Sequence, residues 1–216
     1  ELEEAFYTDL EFGTGGIRGI IGAGTNRMNI YTVRRANLGY GYYLRELYSE
    51  ELERGVVIAY DNRLFSNEFA LESARVLATL GIKTYVFSSV TPTPILSFAV
   101  RYLRAIGGIV VTASHNTKEY NGYKVYDDNG CQLSTSLADK VISYVKSIEN
   151  IFSYRLQDKE KLIKSGLIKF IDDEINEEYI KRIKETEINK NINKSGVKIV
   201  FTPLHGSSGI IAPKIL

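Results

Sequence analysis

The chain has 216 residues, 44% of them hydrophobic and 25% charged, and its 27 basic and 26 acidic residues leave a formal charge of +1. That length can bury a substantial core, enough for one domain and part of another, and the balanced charge provides no basic stripe for nucleic acid. No apolar run approaches the length needed to cross a bilayer and nothing resembles a signal peptide, so a soluble protein acting on a small molecule is the expected class, with no membrane partner. Cys131 is the single cysteine, which rules out an internal disulfide and points to a reducing cytoplasm. A start at Glu1-Leu-Glu without Met also reads as a trimmed chain.

In residues 30–47 the apolar positions Val33, Ala36, Tyr40, Leu44 and Leu47 recur every three or four residues, which predicts a helix with one core-facing stripe. Residues 55–60, Gly-Val-Val-Ile-Ala-Tyr, predict a buried strand. Ser66 is placed to cap a second helix carrying Phe69, Ala70, Ala74, Leu77 and Leu80, with Gly81 as its stop. Residues 82–87 are the next strand. Thr91-Pro-Thr-Pro94 opens a third helix through about Leu103, because proline is tolerated in a first helical turn, and a strand centred on Ile109, Val110 and Val111 follows. Strands alternating with helices predict parallel pairing with right-handed crossovers and a ligand site beyond the carboxyl ends of the strands.

Residues 123–127 form a further alternating strand, Asp128-Asn-Gly130 a hairpin-type turn, and residues 137–148 a helix. A helix over residues 173–184 has its acids early and its bases late, as the helix dipole favours. Residues 189–195 read as a linker between a domain spanning residues 1–188 and the start of a second α/β domain at residues 196–216. Within the latter, Val197-Lys-Ile-Val-Phe-Thr202 is expected to be a strand leading into the loop Pro203-Leu-His-Gly-Ser-Ser-Gly209.

The most informative segment is Gly108-Ile-Val-Val-Thr-Ala-Ser-His-Asn116 with Tyr120-Asn-Gly-Tyr-Lys124, in which a buried strand ends in a loop of hydroxyl, imidazole and amide groups followed by a cation. A serine hydroxyl is a weak nucleophile without help from a base, a metal or an electrostatic pocket, so its neighbours define two competing chemistries. A serine hydrolase would favour Gly-x-Ser-x-Gly, whereas Ser114 sits in Thr-Ala-Ser-His-Asn, and the adjacent His115 is poorly placed to serve the same serine. In phosphoryl transfer, Ser114 carries a phosphate, Lys124 moves a proton and arginines hold anionic groups. The second chemistry uses more of the residues present.

Four stretches together resemble the α-D-phosphohexomutase superfamily of phosphoglucomutases and phosphomannomutases: Glu11-Phe-Gly-Thr-Gly-Gly-Ile-Arg-Gly19, Ala59-Tyr-Asp-Asn-Arg63, Thr112-Ala-Ser-His-Asn116 with Asn121-Gly-Tyr-Lys124, and Thr202-Pro-Leu-His-Gly206. They span nearly the whole chain in order. Residues 19–29 are most similar to the α-phosphoglucomutase branch related to phosphopentomutases. The resemblance implies an α/β fold with a mixed, mainly parallel sheet sandwiched by helices, followed by the start of a similar second domain. It also implies that Ser114 is a phosphoserine exchanging its phosphoryl group with a hexose monophosphate through a hexose 1,6-bisphosphate, which also serves as activator. Lys124, His115 and Arg18 become the catalytic candidates, and Arg18, Asn116, Arg63 and Lys124 the substrate-binding ones. One Mg²⁺ is implied, bound through the Ser114 phosphate and the aspartates of an Asp-Gly-Asp loop that this chain does not contain. For that reason the chain alone is expected not to turn over.

Alternative roles stand beside these. Arg18 fits a surface ion pair as well as a place beside Gly15, Gly16 and Gly19 where backbone approaches phosphate, and Asp61 and Arg63 fit a local ion pair as well as a substrate contact. Asp127, Asp128 and Asn129 lack the spacing and closing Glu of a calcium loop and read as a turn. His205 is expected to shape the entrance of the second domain and Cys131 to do nothing chemical. Thr117 stands where the family usually has proline, which predicts a looser serine loop. Within the superfamily, phosphomannomutase and phosphopentomutase remain alternative activities, and a sugar-phosphate-binding protein without turnover is the non-enzyme alternative.

Overall fold

The computed structural model describes residues 1–13 and 15–216, so Thr14 of the first family-like stretch lies outside the described residues. In chain order the elements are α1 (Leu2–Phe6), β1 (Ile17–Ile20), α2 (Ile30–Leu47), β2 (Val56–Tyr60), α3 (Ser66–Thr79), β3 (Thr84–Phe87), α4 (Thr93–Tyr102), β4 (Gly107–Val111), β5 (Tyr120–Tyr126), α5 (Thr135–Lys146), α6 (Lys159–Lys164), β6 (Ile168–Ile171), α7 (Asp173–Glu185) and α8 (Ala212–Ile215).

The strands form one six-stranded sheet in the order β1-β5-β4-β2-β3-β6. Strand β2 pairs in parallel with β3 and β4, and β3 in parallel with β6, while β5 runs antiparallel to both β4 and β1. The sheet is therefore mixed and mainly parallel. All five residues of β2 and all five of β4 are buried, as befits central strands covered on both faces, and each fully buried Val or Ile contributes about 1.5–3 kcal/mol.

Alternation along these strands sorts their side chains into two cores. Val56, Ile58, Ile109, Val111, Tyr123 and Val125 pack with Val33, Ala36, Tyr40 and Leu44 of α2, Phe69, Ala70, Ala74 and Leu77 of α3, and Val141 of α5. Val57, Ala59 and Val110 face the other way, toward Ile95, Leu96, Ala99 and Val100 of α4 and Ile175 of α7. Helices thus cover both faces of the sheet.

Several details differ from the sequence expectations. Ser66 is not the cap of α3: it is the first helical residue, Phe65 precedes it in a left-handed conformation at φ 62°, and the Ser66 hydroxyl donates instead to Asp61 Oδ1 at 2.7 Å. Leu47, the last residue of α2, is exposed rather than part of the buried stripe. Residues 197–202 are exposed and form no strand. A strand persists only within a hydrogen-bonded ladder, and neither sheet edge, β1 or β6, pairs with this segment.

Elements α1, β1, α6 and β6 escape the periodicity reading because each is short, from four to six residues. Gly81 does end α3, at φ 83°, and residues 127–131 do turn, with Asp127 Oδ1 accepting from the Asn129 and Cys131 amides. Among the described residues no helix is long and apolar enough to cross a membrane.

Candidate active site

Because β2 and β4 are parallel and in register from Val56↔Gly107 to Tyr60↔Val111, their carboxyl ends lie side by side. The chain leaves β2 through Asp61-Asn62-Arg63 and β4 through Thr112 to Asn116, and the Asp61 amide still donates to the Val111 carbonyl at 3.1 Å. Beside these two loops lies a cleft of about 940 Å³, whose lining includes Asp61, Arg63, Thr93, Thr112, Ser114, His115, Asn116, Lys118 and Glu119 together with His205, Gly206 and Ser207. This is the place the topology predicts for a ligand.

Ser114 is exposed and adopts the left-handed conformation, φ 57°, which costs a residue other than glycine about 1–2 kcal/mol. Local bonds hold it there. Its amide donates to Thr112 Oγ1 at 2.9 Å, the Thr112 amide donates to the Gly122 carbonyl at 3.0 Å, and the Asn116 amide donates to the Ala113 carbonyl at 3.2 Å.

Arg63, with only 13% of its side chain exposed, crosses beneath the loop. Its Nη2 donates to the Ser114 carbonyl at 2.8 Å and the Asn116 carbonyl at 2.6 Å, and its Nη1 to the Thr117 carbonyl at 2.7 Å and the Tyr120 carbonyl at 3.1 Å. The remaining nitrogen, Nε, lies 3.3 Å from Asp61 Oδ2.

Arg18 and Lys124 flank the loop from the neighbouring strands and lie outside the cleft lining. Arg18 pairs in register with Gly122, two residues from Lys124, so both side chains fall on the same face of the sheet. Arg18 Nη1 donates to Asn116 Oδ1 at 2.8 Å. Burial, and then the Arg18 guanidinium, hold the half-buried Lys124 ammonium below its ordinary pKa, which favours a neutral amine able to accept a proton. The turn before β1 presses close against this strand. Gly16 has φ 99°, and a Cβ there would run into the Tyr123 carbonyl oxygen next to Lys124.

His115 is exposed, lines the cleft and makes no hydrogen bond among the described residues. Reading the sequence alone assigned no role to Ser66 at the site or to Asn121. Asn121 is fully buried; its amide donates to Ser66 Oγ and to the Leu64 carbonyl, both at 3.0 Å, joining β5 to the Arg63 loop. A fully polar side chain between Tyr120 and Gly122 in a strand is the signal that would have marked it. Among the described residues no cluster of three or more His, Cys, Asp or Glu is arranged to hold a metal ion.

A serine exposed on a strained loop, cations on two sides and a cleft at strand carboxyl ends together suit phosphate chemistry, and the known relatives agree. The model of the family described as "Phosphoglucomutase/phosphomannomutase, alpha/beta/alpha domain I" matches residues 9–152. The chain belongs to this family. The phosphoglucomutase of Staphylococcus epidermidis is 41% identical over 216 residues, covering 100% of this chain and 38% of the relative. That of Staphylococcus haemolyticus is 39% identical over 214 residues, covering 99% and 38%.

Among solved structures, a Thermus thermophilus protein provisionally described as a phosphomannomutase superposes with a TM-score of 0.67 at 29% identity, over 82% of this chain and 36% of that one. The open form of the exocytosis-sensitive phosphoprotein pp63/parafusin, a phosphoglucomutase from Paramecium, shares the fold at 17% identity, with a TM-score of 0.63 over 97% of this chain and 41% of that one. The chain thus spans 38% of the length of the curated relatives it matches.

Proposed function

We propose that this chain is the serine-bearing part of a phosphosugar mutase that interconverts hexose 1-phosphate and hexose 6-phosphate, with α-D-glucose as the preferred sugar. The observation that carries the reading is the presentation of Ser114, in a left-handed loop conformation, to a cleft at the carboxyl ends of β2 and β4. Residues 1–188 are then the first domain, residues 189–195 a linker and residues 196–216 part of a second α/β domain, whose His205 to Ser207 segment lines the same cleft as Ser114.

In the proposed cycle Ser114 carries a phosphate on Oγ. A free hydroxyl of the hexose monophosphate attacks the phosphorus, the bond from phosphorus to Ser114 Oγ breaks, and the hydroxyl proton leaves to a base while Oγ is protonated or held by cations. The resulting hexose 1,6-bisphosphate turns over in the cleft and returns its other phosphoryl group to Ser114. The same bisphosphate, added as activator, loads unphosphorylated Ser114.

Lys124, with its lowered proton affinity, is the proposed proton carrier, and Arg18 and Asn116 are proposed to hold the substrate's anionic and hydroxyl groups. His115, in the cleft lining, completes the proposed catalytic set. A Ser114 phosphate offers the hard oxygen donors that suit Mg²⁺, with carboxylate ligands supplied from outside this chain. Bound there, Mg²⁺ would neutralise charge on the transferring phosphoryl oxygens.

The test is mutase turnover by the full-length protein with glucose 1-phosphate, glucose 1,6-bisphosphate and Mg²⁺. Turnover is expected with the native protein and none with Ser114→Ala; near-native activity in the variant would remove the phosphoserine mechanism. Parallel assays with mannose and pentose phosphates decide between the phosphoglucomutase, phosphomannomutase and phosphopentomutase activities. Tight binding of a hexose phosphate without turnover by the native protein would leave a sugar-phosphate-binding role.

A further inference from the structure

Resting on that reading, we infer that Arg63 is a positioning residue for Ser114, which fixes the serine loop from beneath and does not contact the sugar phosphate. A guanidinium has five N–H donors in a planar fork. Four of the Arg63 bonds go to the carbonyls of Ser114, Asn116, Thr117 and Tyr120, and the remaining nitrogen faces Asp61. The four Nη donors are thus taken, and Nε is paired with the Asp61 carboxylate rather than free to face a phosphate. The four carbonyls span the loop from its reactive serine to the first residue of β5.

Two further observations show that this fork is itself held. Asp61 Oδ1 accepts from the Arg63 amide at 3.1 Å and from the Ser66 hydroxyl at 2.7 Å, and the buried Asn121 ties that hydroxyl to β5 at 3.0 Å. The guanidinium therefore sits in a frame built from β2, the start of α3 and β5. Ser114 itself occupies a left-handed conformation, a state that persists only where its surroundings over-determine it. The Thr112 hydroxyl holds the Ser114 amide, and Arg63, bonded to the Ser114 carbonyl and to three carbonyls beyond it, ties that residue to the rest of the loop. The Thr117 carbonyl is one of its four anchors, so the fork supplies loop rigidity at a position where the chain has Thr rather than proline.

A positioning role lowers the rate of phosphoryl transfer without weakening the hold on substrate, and a misplacement of about 1 Å at a reacting group costs about a hundredfold. The experiment compares native protein, Arg63→Ala and Arg63→Lys, all full length, by steady-state kinetics, by the fraction of Ser114 phosphorylated after incubation with glucose 1,6-bisphosphate (intact mass), and by thermal melting. For Arg63→Ala the expected result is a fall in kcat of about a hundredfold with KM changed less than about threefold, and partial recovery in millimolar guanidinium chloride. Arg63→Lys, which keeps the charge but lacks the fork, should fall nearly as far, should load Ser114 slowly, and should show no recovery with guanidinium.

A rise in KM at unchanged kcat in either variant would show that Arg63 holds substrate and would overturn the inference. Near-native kcat in Arg63→Lys would overturn it too, because charge alone would then suffice. Should Arg63→Ala not fold, Arg63→Lys decides by the same criteria. If the native protein itself shows no mutase turnover, it is the functional reading that fails; if the native protein turns over and the variants match it, only the role of Arg63 is lost.

Discussion

Arg18 Nη1 donates to the Asn116 side-chain oxygen at 2.8 Å, a bond that ties strand β1 to the serine loop across 98 residues of sequence. The same guanidinium is one of two causes, after burial, of the lowered proton affinity of Lys124.

Replacing Arg18 should therefore move a titration. A positive neighbour disfavours the protonated lysine, so Arg18→Gln favours it and raises the Lys124 pKa, though not fully, because burial remains. If Lys124 is the proton carrier, the limb of kcat/KM against pH that follows its titration is expected to shift to higher pH. An unmoved limb would deny Arg18 its electrostatic role.

Lys124→Met should slow turnover by about a hundredfold or more if Lys124 carries the proton. The same substitution is expected to stabilise the fold at acidic and neutral pH. The folded-state pKa of Lys124 is lowered, so its burial opposes folding most fully below that pKa, and the penalty fades as pH rises toward the ordinary lysine value. Denaturant midpoints of the two proteins should accordingly converge at high pH; a Met variant that is less stable throughout would refute this.

The left-handed backbone at Ser114 predicts an inverted stability ranking of two Ser114 variants. Alanine keeps the steric penalty at φ 57° and glycine removes it, so Ser114→Gly should be more stable than Ser114→Ala by about 1 kcal/mol despite its greater chain entropy. Equal unfolding midpoints would mean that the loop relaxes away from this conformation.

Behind the site, the Tyr123 hydroxyl donates to Asn37 Oδ1 at 2.9 Å, and Asn37 Nδ2 donates to Ser73 Oγ at 2.9 Å, all three residues being fully buried. Tyr123→Phe would leave the Asn37 oxygen without its partner at a cost of about 1–3 kcal/mol. Urea unfolding should show a lower midpoint with an unchanged slope. No loss of stability would indicate that water replaces the hydroxyl.

How far the sequence reaches depends on the range of the forces involved. Apolar periodicity located α2 and α3, continuous apolar runs located β2 and β4, and the prolines of its first turn located α4, because each signal lies within the element itself. The order Arg18, Arg63, Ser114, Lys124 and the residue types around Ser114 were enough to indicate phosphate chemistry and the family. Strands β1 and β6, four residues each, are stabilised by the neighbours they pair with, so nothing local marks them. The segment at 197–202 is the converse case, with a strand-like pattern but no ladder partner in the sheet.

Local composition dictates the α/β alternation, the serine loop and the end of the strand on which it sits, and all three are legible in the order of residues. Folding in three dimensions was needed to direct the hydrogen bonds of Arg63 to the serine loop, to brace it with Asp61, Ser66 and Asn121, and to bring Arg18 to Asn116 and beside Lys124. These contacts join different strands and loops of the sheet, and the neighbours and register of those strands are encoded by no local pattern.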